Sequence, residues 1–347
     1  MRGHGAGLVL GLALAAATPV AAERTLDVLP SMTWHHARTG LTLPPYLGSL
    51  PRNELGDFGT EEADLFAQYR GGDGTVATIY IFHPGLDSVP VWFDRVEAAV
   101  RARTDFGKFG DAEAQAFALR PGAPMAGLRA TLALSDGKER STALAVAPVG
   151  DWLVVVRLPS PKLEAAALDG ELTAILNGIG WPTDRLDGPA AAPVKPCEIL
   201  PRFRKARMIQ PDVAQALMGA ITGAVADEEK DKDTPPAVYC RAQQAADGTW
   251  GVYRAEGAGD GYMLALQDAG RAISVQPSLA ALVNKSRPAF TVSLLDLTET
   301  RIYGDVSALL PPEQALELVN RQAPIATSST QGDKKNITIE SGLADKK

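Results

Sequence analysis

The chain is poor in the residues that most often carry redox and metal chemistry, with two cysteines and four histidines among its 347 residues. Cys197 and Cys240 lack the Cys-x-x-Cys spacing of a redox pair, and no histidine is placed to activate either thiol. His35 and His36 are neighbours, and neighbouring side chains of an extended chain point to opposite faces, so they do not easily bind one metal ion. A zinc site would require the fold to bring His83 to this pair. We therefore predict no metal site and no cofactor, and we expect the histidines at the surface or at sheet edges.

Signatures of the common enzyme classes are also missing. The chain has no Gly-x-Ser-x-Gly elbow, Walker loop, His-Glu-x-x-His pair or Ser-x-x-Lys motif. The glycine cluster at residues 71–74 joins two strands instead of leading into a helix, and Asp260 is expected to be a turn residue. Carboxylates are plentiful, so a glycosidase-like pair stays open as an alternative, but spacing alone names none of them. We predict no catalytic residue.

Long apolar runs are confined to the N-terminus. Arg2 precedes a short apolar run at residues 8–17, and small residues up to Ala22 lead into a polar segment that opens with Glu23. This pattern predicts a secretory signal peptide at residues 1–22, cleaved between Ala22 and Glu23, with an uncleaved signal anchor as the alternative. No cysteine near this point could carry a lipid, and no later segment reaches the ~20 apolar residues of a membrane-spanning helix. We expect a soluble exported protein, and the Ala-, Gly- and Arg-rich composition indicates a bacterial periplasm.

Positive charge is scarce, because the chain carries a formal net charge of −7. Nucleic acids and anionic membranes select clustered positive charge, so we expect neither as a partner. The one basic cluster surrounds Phe203 and is a candidate site for an anion or an acidic partner. The alternative is a solvated segment balanced by the acidic residues 227–229. The cluster consists of Arg202, Arg204, Lys205 and Arg207.

The two cysteines that are present predict a covalent bond. An even cysteine count in a chain with an export signal is typical of a disulfide, here between Cys197 and Cys240. The enclosed loop has about 40 residues, for which the chain-entropy estimate is about 4 kcal/mol before any strain is subtracted. We expect this bond to join the start of the second half of the chain to one of its strands.

Residues 75–103 carry the clearest secondary-structure pattern, with the apolar strand TVATIYIF, a Pro/Gly loop and a helix. The apolar residues of the helix recur at helical spacing, Ser88 is its predicted N-cap, and Asp94 and Arg95 belong to the face that we expect to be solvated. Residues 63–82 predict a hairpin. Residues 114–158 predict four further strands, of which the last (WLVVVRL) suits the centre of a sheet, and a second amphipathic helix follows.

These consecutive hairpins predict an antiparallel sheet covered by helices. The LPPYLGSLPR opening, the TVATIYIFHPG strand and loop, the DWLVVVRL strand and the closing helix that ends at Trp181-Pro182 resemble the Mog1/PsbP-type α/β/α sandwich. They are similar in particular to exported bacterial proteins of that fold without an assigned activity. The resemblance covers residues 40–182. Members of that fold act as binding or assembly modules, so the resemblance implies interaction instead of catalysis, and it transfers no functional residue.

The domain organisation follows from a Pro/Ala-rich stretch at residues 188–196, which predicts a linker. We expect a first domain at residues 23–187 and a second, disulfide-clamped domain at residues 197–321 that includes a helix at residues 211–225. Both are predicted to be α+β, each with a mainly antiparallel sheet packed with helices. The polar residues 322–347 are predicted to be disordered.

Three functions are consistent with these features. The first is a non-catalytic periplasmic binding or assembly protein whose partner is another envelope protein or a small ligand. The second is a periplasmic hydrolase or lyase that uses dispersed carboxylates. The third is a structural envelope scaffold. The export signal, the resemblance and the missing catalytic motifs favour the first.

Overall fold

A computed structural model describes residues 24–59, 62–186, 188–210, 237–257, 259–283, 287–330 and 336–339. Over these ranges the chain is rich in strands and has four α-helices, arranged as two large sheets and one two-stranded sheet. The fold is broadly α+β. The predicted cleavage point between Ala22 and Glu23, the helix at residues 211–225 and the acidic residues 227–229 lie outside the described residues.

The described residues of the first half of the chain form twelve strands. They are β1 (Arg24–Thr25), β2 (Trp34–His35), β3 (Thr42–Leu43), β4 (Tyr46–Leu47), β5 (Leu50–Asp57), β6 (Asp64–Arg70), β7 (Val76–Phe82), β8 (Lys108–Phe109), β9 (Gln115–Phe117), β10 (Gly127–Ser135), β11 (Ser141–Val149) and β12 (Trp152–Ser160). Two helices accompany them, α1 (Val89–Arg101) and α2 (Ala165–Gly178), and a 3-10 turn covers Thr104–Phe106.

Ten of these strands form the first sheet, in the order β1-β5-β6-β7-β12-β11-β10-β8, with β4 beside β5 and β9 beside β10. All neighbours are antiparallel, and β2 pairs separately with β3. The predicted hairpin is confirmed, since β6 pairs with β7 around Gly74. Gly74 has a φ of +92°, a backbone conformation that glycine adopts without steric strain. The central place predicted for WLVVVRL is confirmed in β12.

The two faces of the first sheet are covered differently. Along β7, Ala77, Ile79 and Ile81 point into a core closed by α2. Phe82 points to the opposite face, which packs against α1. This alternation is what a period of two requires of a strand that is buried on both sides.

Helix α1 begins as predicted, because Ser88 Oγ accepts a hydrogen bond from the backbone N–H of Val91 at 3.4 Å. Its apolar face is buried on the first sheet, with Trp92 fully buried. The prediction that Asp94 and Arg95 are solvated is wrong, since they are only 9% and 0% exposed. The second sheet covers the side of the helix on which they lie.

In the second half of the chain the described residues form a sheet of nine strands in chain order. They are β13 (Lys195–Pro196), β14 (Tyr239–Gln244), β15 (Trp250–Ala255), β16 (Tyr262–Leu266), β17 (Arg271–Pro277), β18 (Phe290–Leu295), β19 (Glu299–Val306), β20 (Ala326–Ser329) and β21 (Ile337–Ile339). Its helices are α3 (Leu279–Val283) and α4 (Pro312–Arg321). Only the β13–β14 pair is parallel among the strand pairs described in this second sheet.

The disulfide between Cys197 and Cys240 is present, with Cα atoms 4.8 Å apart. It ties the residue after β13 to β14, in the place expected from the sequence. At the other end of the sheet the structure differs from the predicted disordered tail. Strand β20 pairs with β19, and Ile325 and Ala326 are buried there. Burial of these two apolar side chains stabilises an ordered strand within an otherwise polar segment.

One hydrophobic cluster contains residues of α1 and of both sheets, so α1 and the two sheets share a continuous core. Burial of one large apolar side chain contributes about 1.5–3 kcal/mol, so several such residues stabilise the junction strongly. The cluster includes Trp92 and Phe93 from α1, Leu144 and Val155 from the first sheet, and Tyr253, Met263 and Ala265 from the second.

Candidate ligand-binding cleft

The turn between β16 and β17 presses against the first sheet. Gly270 accepts a hydrogen bond from the backbone N–H of Gly85 at 2.7 Å. Gly270 has a φ of +80°, and a Cβ at this position would lie 2.7 Å from the Phe82 ring and 2.8 Å from Leu297. Only glycine therefore allows this close approach of the turn.

Beside this turn a cleft of about 440 Å³ opens between the two sheets. The volume lies in the range of small-molecule sites, about 300–1,000 Å³. Strands β6, β7 and β12 form one side and the β16–β17 turn forms the other. The cleft, as we use the name below, is lined by Phe58, Asp64, Tyr80, Phe82, Val155, Arg157, Asp268, Ala269 and Arg271.

Aromatic rings form much of the first-sheet side of the cleft. Phe58 is 38% exposed and stacks on Phe66, with ring centroids 4.7 Å apart. Tyr80 lies under the Arg157 guanidinium, whose central carbon is 5.3 Å from the ring centroid. This distance is within the reach of a cation–π interaction. A ligand in the cleft would therefore meet aromatic and cationic groups at once.

Two ion pairs cross the cleft in opposite senses. Arg157 of the first sheet pairs with Asp268 of the second, and Arg271 of the second sheet lies 3.7 Å from Asp64 of the first. Arg271 also donates from Nε to Asp296 at 2.8 Å. Burial lowers the pKa of the Arg157 guanidinium. These two ion pairs link the two sheets across the cleft.

Asp64 lies in the cleft with only a long ion pair as a polar side-chain contact among the described residues. It is 7% exposed, and none of the described residues donates a hydrogen bond to its carboxylate. Burial raises the pKa of Asp64 to about 6, although the Arg271 guanidinium opposes the shift. Asp57 and Asp296 raise it further, as like charges do. The cleft thus contains a carboxyl group that titrates near neutral pH.

Two charged residues of α1 make further polar contacts across the junction, outside the cleft. Arg95 donates from Nε to the Gln267 carbonyl at 2.9 Å and from Nη2 to the Gly248 carbonyl. Asp94 accepts a hydrogen bond from the Tyr253 hydroxyl at 2.5 Å and pairs with Arg241. Burial is the largest effect on Asp94 and raises its pKa.

His83 also bridges the sheets, with Nδ1 3.1 Å from the Leu297 carbonyl oxygen and Nε2 3.1 Å from Asp151 Oδ2. Of the surface or sheet-edge positions expected for the histidines, a surface position is wrong for His36, which is 1% exposed and directly follows β2. Its ring lies 4.8 Å from the Trp152 ring, and its nitrogens lie 2.9 Å from Thr39 Oγ1 and 3.2 Å from the Glu62 carbonyl oxygen. The Trp152 ring also contacts His83, at 5.6 Å.

The residues of the predicted basic cluster, Arg202, Arg204, Lys205 and Arg207, are all exposed and do not line the cleft. Their segment is held against the end of β19, since Met208 bridges to Val306. Among the described residues no ion pair to these four side chains occurs. Cys197 and Cys240 are joined to each other and do not line the cleft either.

The sequence did not identify the charged residues of the cleft, although it contains one signal for them. In WLVVVRL, Arg157 interrupts an apolar strand and shares a face with Val155. Asp64 shares the corresponding face of its hairpin, opposite Phe82. A charged residue on an otherwise buried face needs a partner of opposite charge. The sequence therefore indicates that such partners exist, but not which residues they are.

No protein family, curated protein or solved structure matches the chain. In the described parts of the chain, no group of three or more His, Cys, Asp or Glu side chains could hold a metal ion. No helix in those parts is long and apolar enough to cross a membrane. The function must therefore be argued from the cleft itself.

Proposed function

We propose that the chain is a non-catalytic binding protein of the bacterial periplasm, and that its ligand occupies the cleft between the two sheets. The signal pattern at residues 1–22 and the disulfide support export. The resemblance of residues 40–182 to Mog1/PsbP-type domains supports a binding or assembly role over catalysis.

The observation that carries the proposal is an open cleft that contains both an exposed aromatic ring and a carboxylate without a hydrogen-bond donor among the described residues. Ligand sites are typically concave and apolar, with a few convergent polar groups. The cleft has exposed aromatic surface at Phe58 and a poorly hydrogen-bonded carboxylate at Asp64. Outside the cleft, Asp94 has both Tyr253 and Arg241 as partners, and Arg95 donates to the Gln267 and Gly248 carbonyls.

A fragment screen by ligand-observed NMR tests the proposal. Ala269 lines the cleft, so Ala269→Trp should fill it and abolish most hits found with the wild type. Ala246→Trp is the matched control, because Ala246 lies in another hairpin turn of the second sheet and outside the cleft. Circular dichroism would establish that both variants fold.

Hits that persist in Ala269→Trp, or a wild-type protein without hits, would contradict the cleft as the ligand site. If Ala269→Trp does not fold, Phe58→Ala serves instead. Phe58 is partly exposed, so truncating its side chain should weaken binding of the hits and leave the buried core in place.

A periplasmic hydrolase or lyase is the second candidate, favoured by the raised pKa of Asp64 at about 6. A general acid works best when its pKa lies near the operating pH, and Asp268 supplies a second carboxyl group in the same cleft. Turnover of nitrophenyl glycosides or esters between pH 4 and 8 that is lost in Asp64→Asn would support it. Failure of the wild type to turn over any of them would count against it.

A further inference from the structure

Carboxylates outnumber guanidinium groups in the network of ion pairs around the cleft. Asp268 is matched by Arg157, and Asp296 accepts a hydrogen bond from Arg271. The network continues through Arg301, which lies 3.5 Å from Asp296 and pairs with Glu299. Within this described network three guanidinium groups therefore face four carboxylates, and the carboxylate in excess is Asp64.

The contact between Asp64 and Arg271 does not satisfy either charge fully. At 3.7 Å the pair lies beyond hydrogen-bond distance. A buried carboxylate gains most from a donor that is itself charged, because such hydrogen bonds are roughly twice as strong as neutral ones. The raised pKa of Asp64 agrees with this shortage of donors.

The surroundings of Asp64 favour a cation over an anion as its partner. The partly exposed Phe58 ring lines the same cleft, and an aromatic face attracts cations through its ring quadrupole. An anion would have to displace Asp268 or Asp296 from a guanidinium that already has a carboxylate partner. A cation can add beside Arg271 to the Asp64 carboxylate, which accepts no hydrogen bond from the described residues.

We propose that the cleft binds an organic cation, a primary amine or guanidinium on an apolar or aromatic body, with Asp64 as counter-ion and Phe58 as the ring against which the body packs. This assignment rests on the proposed function, because it names the ligand class of the same cleft. The cation could belong to a free small molecule or to a Lys or Arg side chain of a partner protein, since both present the same group.

Isothermal titration calorimetry with three matched probes tests the assignment. Phenethylamine carries the cation, 2-phenylethanol is its neutral counterpart, and 3-phenylpropionate carries a carboxylate. At pH 7.5 and low salt, the amine should bind the wild type at least about tenfold more tightly than the alcohol, which corresponds to about 1.4 kcal/mol. The carboxylate should bind more weakly than the alcohol.

Asp64→Asn should reduce the affinity for phenethylamine to that for 2-phenylethanol, because it removes the counter-ion and keeps the shape. Asp111→Asn is the control for net charge, since Asp111 is exposed and outside the cleft. It should leave all three affinities unchanged.

A pH series on the wild type keeps the test independent of the variant. Asp64 faces Arg271, Asp57 and Asp296, and its pKa of about 6 means that it takes up a proton between pH 7 and 5. An aliphatic amine stays protonated in this range. Binding of the amine should therefore weaken severalfold at pH 5, whereas binding of the alcohol should not change.

Equal affinity for amine and alcohol, tighter binding of the carboxylate, or an amine affinity that Asp64→Asn leaves intact would overturn the cation assignment. If none of the three probes binds, the cation assignment also fails. The cleft as a ligand site fails separately, only when the fragment screen gives hits that Ala269→Trp does not remove or gives no hits at all.

A capped peptide with Lys beside Phe distinguishes the two sources of the cation. Tighter binding of the peptide than of phenethylamine assigns the cation to a partner protein. Tighter binding of the free amine assigns it to a small molecule.

Discussion

At the scale of single residues, burial decides the chemistry of the ionisable groups more than their neighbours in sequence do. His35 and His36 are adjacent, yet His35 is exposed and His36 is enclosed by Trp34 and Trp152. Burial lowers the pKa of His36 to about 4, whereas burial raises that of Asp64 to about 6. Both shifts favour the neutral form, as desolvation requires.

The His36 shift predicts a loss of stability in mild acid. Between pH 6.5 and 4 the unfolded state binds a proton on this ring and the folded state does not, so stability falls as the pH falls. A pKa lowered from 6.5 to about 4 corresponds to a loss of up to about 3 kcal/mol. Chemical denaturation at pH 7.5 and 4.5 should show that His36→Gln reduces the loss seen in the wild type.

His35→Gln is the control for this prediction, because it changes the exposed neighbouring ring. It should leave the wild-type loss in place. An equal effect of both variants, or none of either, would show that the buried ring is not the group that titrates.

At the scale of the element, α1 differs most from its sequence pattern. Its hydrophobic stripe predicts one buried face, and the structure buries two, because the second sheet covers Asp94 and Arg95. Its last turn keeps the expected pattern, since Arg101 and Glu97 form an i,i+4 pair with an Nε to Oε1 distance of 2.8 Å at the surface. The same helix thus carries a buried arginine and an exposed one.

This contrast predicts very different costs for two alanine substitutions in α1. Arg95→Ala would leave the Gln267 and Gly248 carbonyls without their donor and would open a cavity, so we expect a loss of about 3 kcal/mol or more. Arg101→Ala removes only a surface pair and should cost about 0.3–0.5 kcal/mol. Guanidinium unfolding of the two variants measures the difference, and similar midpoints would contradict it.

At the scale of the whole molecule, two connections join the halves of the chain. One is the hydrophobic cluster that α1 shares with both sheets. The other is the set of ion pairs and hydrogen bonds across the junction, both around the cleft and at Asp94, Arg95 and His83. The disulfide lies entirely within the second half, where it closes a separation of 43 residues. It constrains that half, while the cluster couples both halves.

Removal of the disulfide should therefore destabilise the molecule as one unit. For Cys197→Ser with Cys240→Ser, the loop of 43 residues gives an expected loss of up to about 4 kcal/mol. Because the cluster is shared, unfolding should stay in one transition, with the same midpoint by tryptophan fluorescence and by far-UV circular dichroism. Separate midpoints would show that the two sheets unfold independently.

Local patterns in the sequence determined the elements of this protein. The period-two strands, the Gly74 hairpin, the Ser88 cap and the pairing of Cys197 with Cys240 all depend on residues close in sequence or on cysteine count, and the structure contains them. Such patterns work because backbone geometry and side-chain periodicity act over a few residues.

Only the tertiary structure decided what covers each surface. Arg95 reaches a carbonyl 172 residues away, and the cleft joins Asp64 to Arg271 and Arg157 to Asp268 across the two halves. A hydrophobic pattern reports that a face leaves water, but it does not report which distant segment replaces the water. The burial of Asp94 and Arg95 and the charges of the cleft therefore follow from packing between halves, which no local pattern encodes.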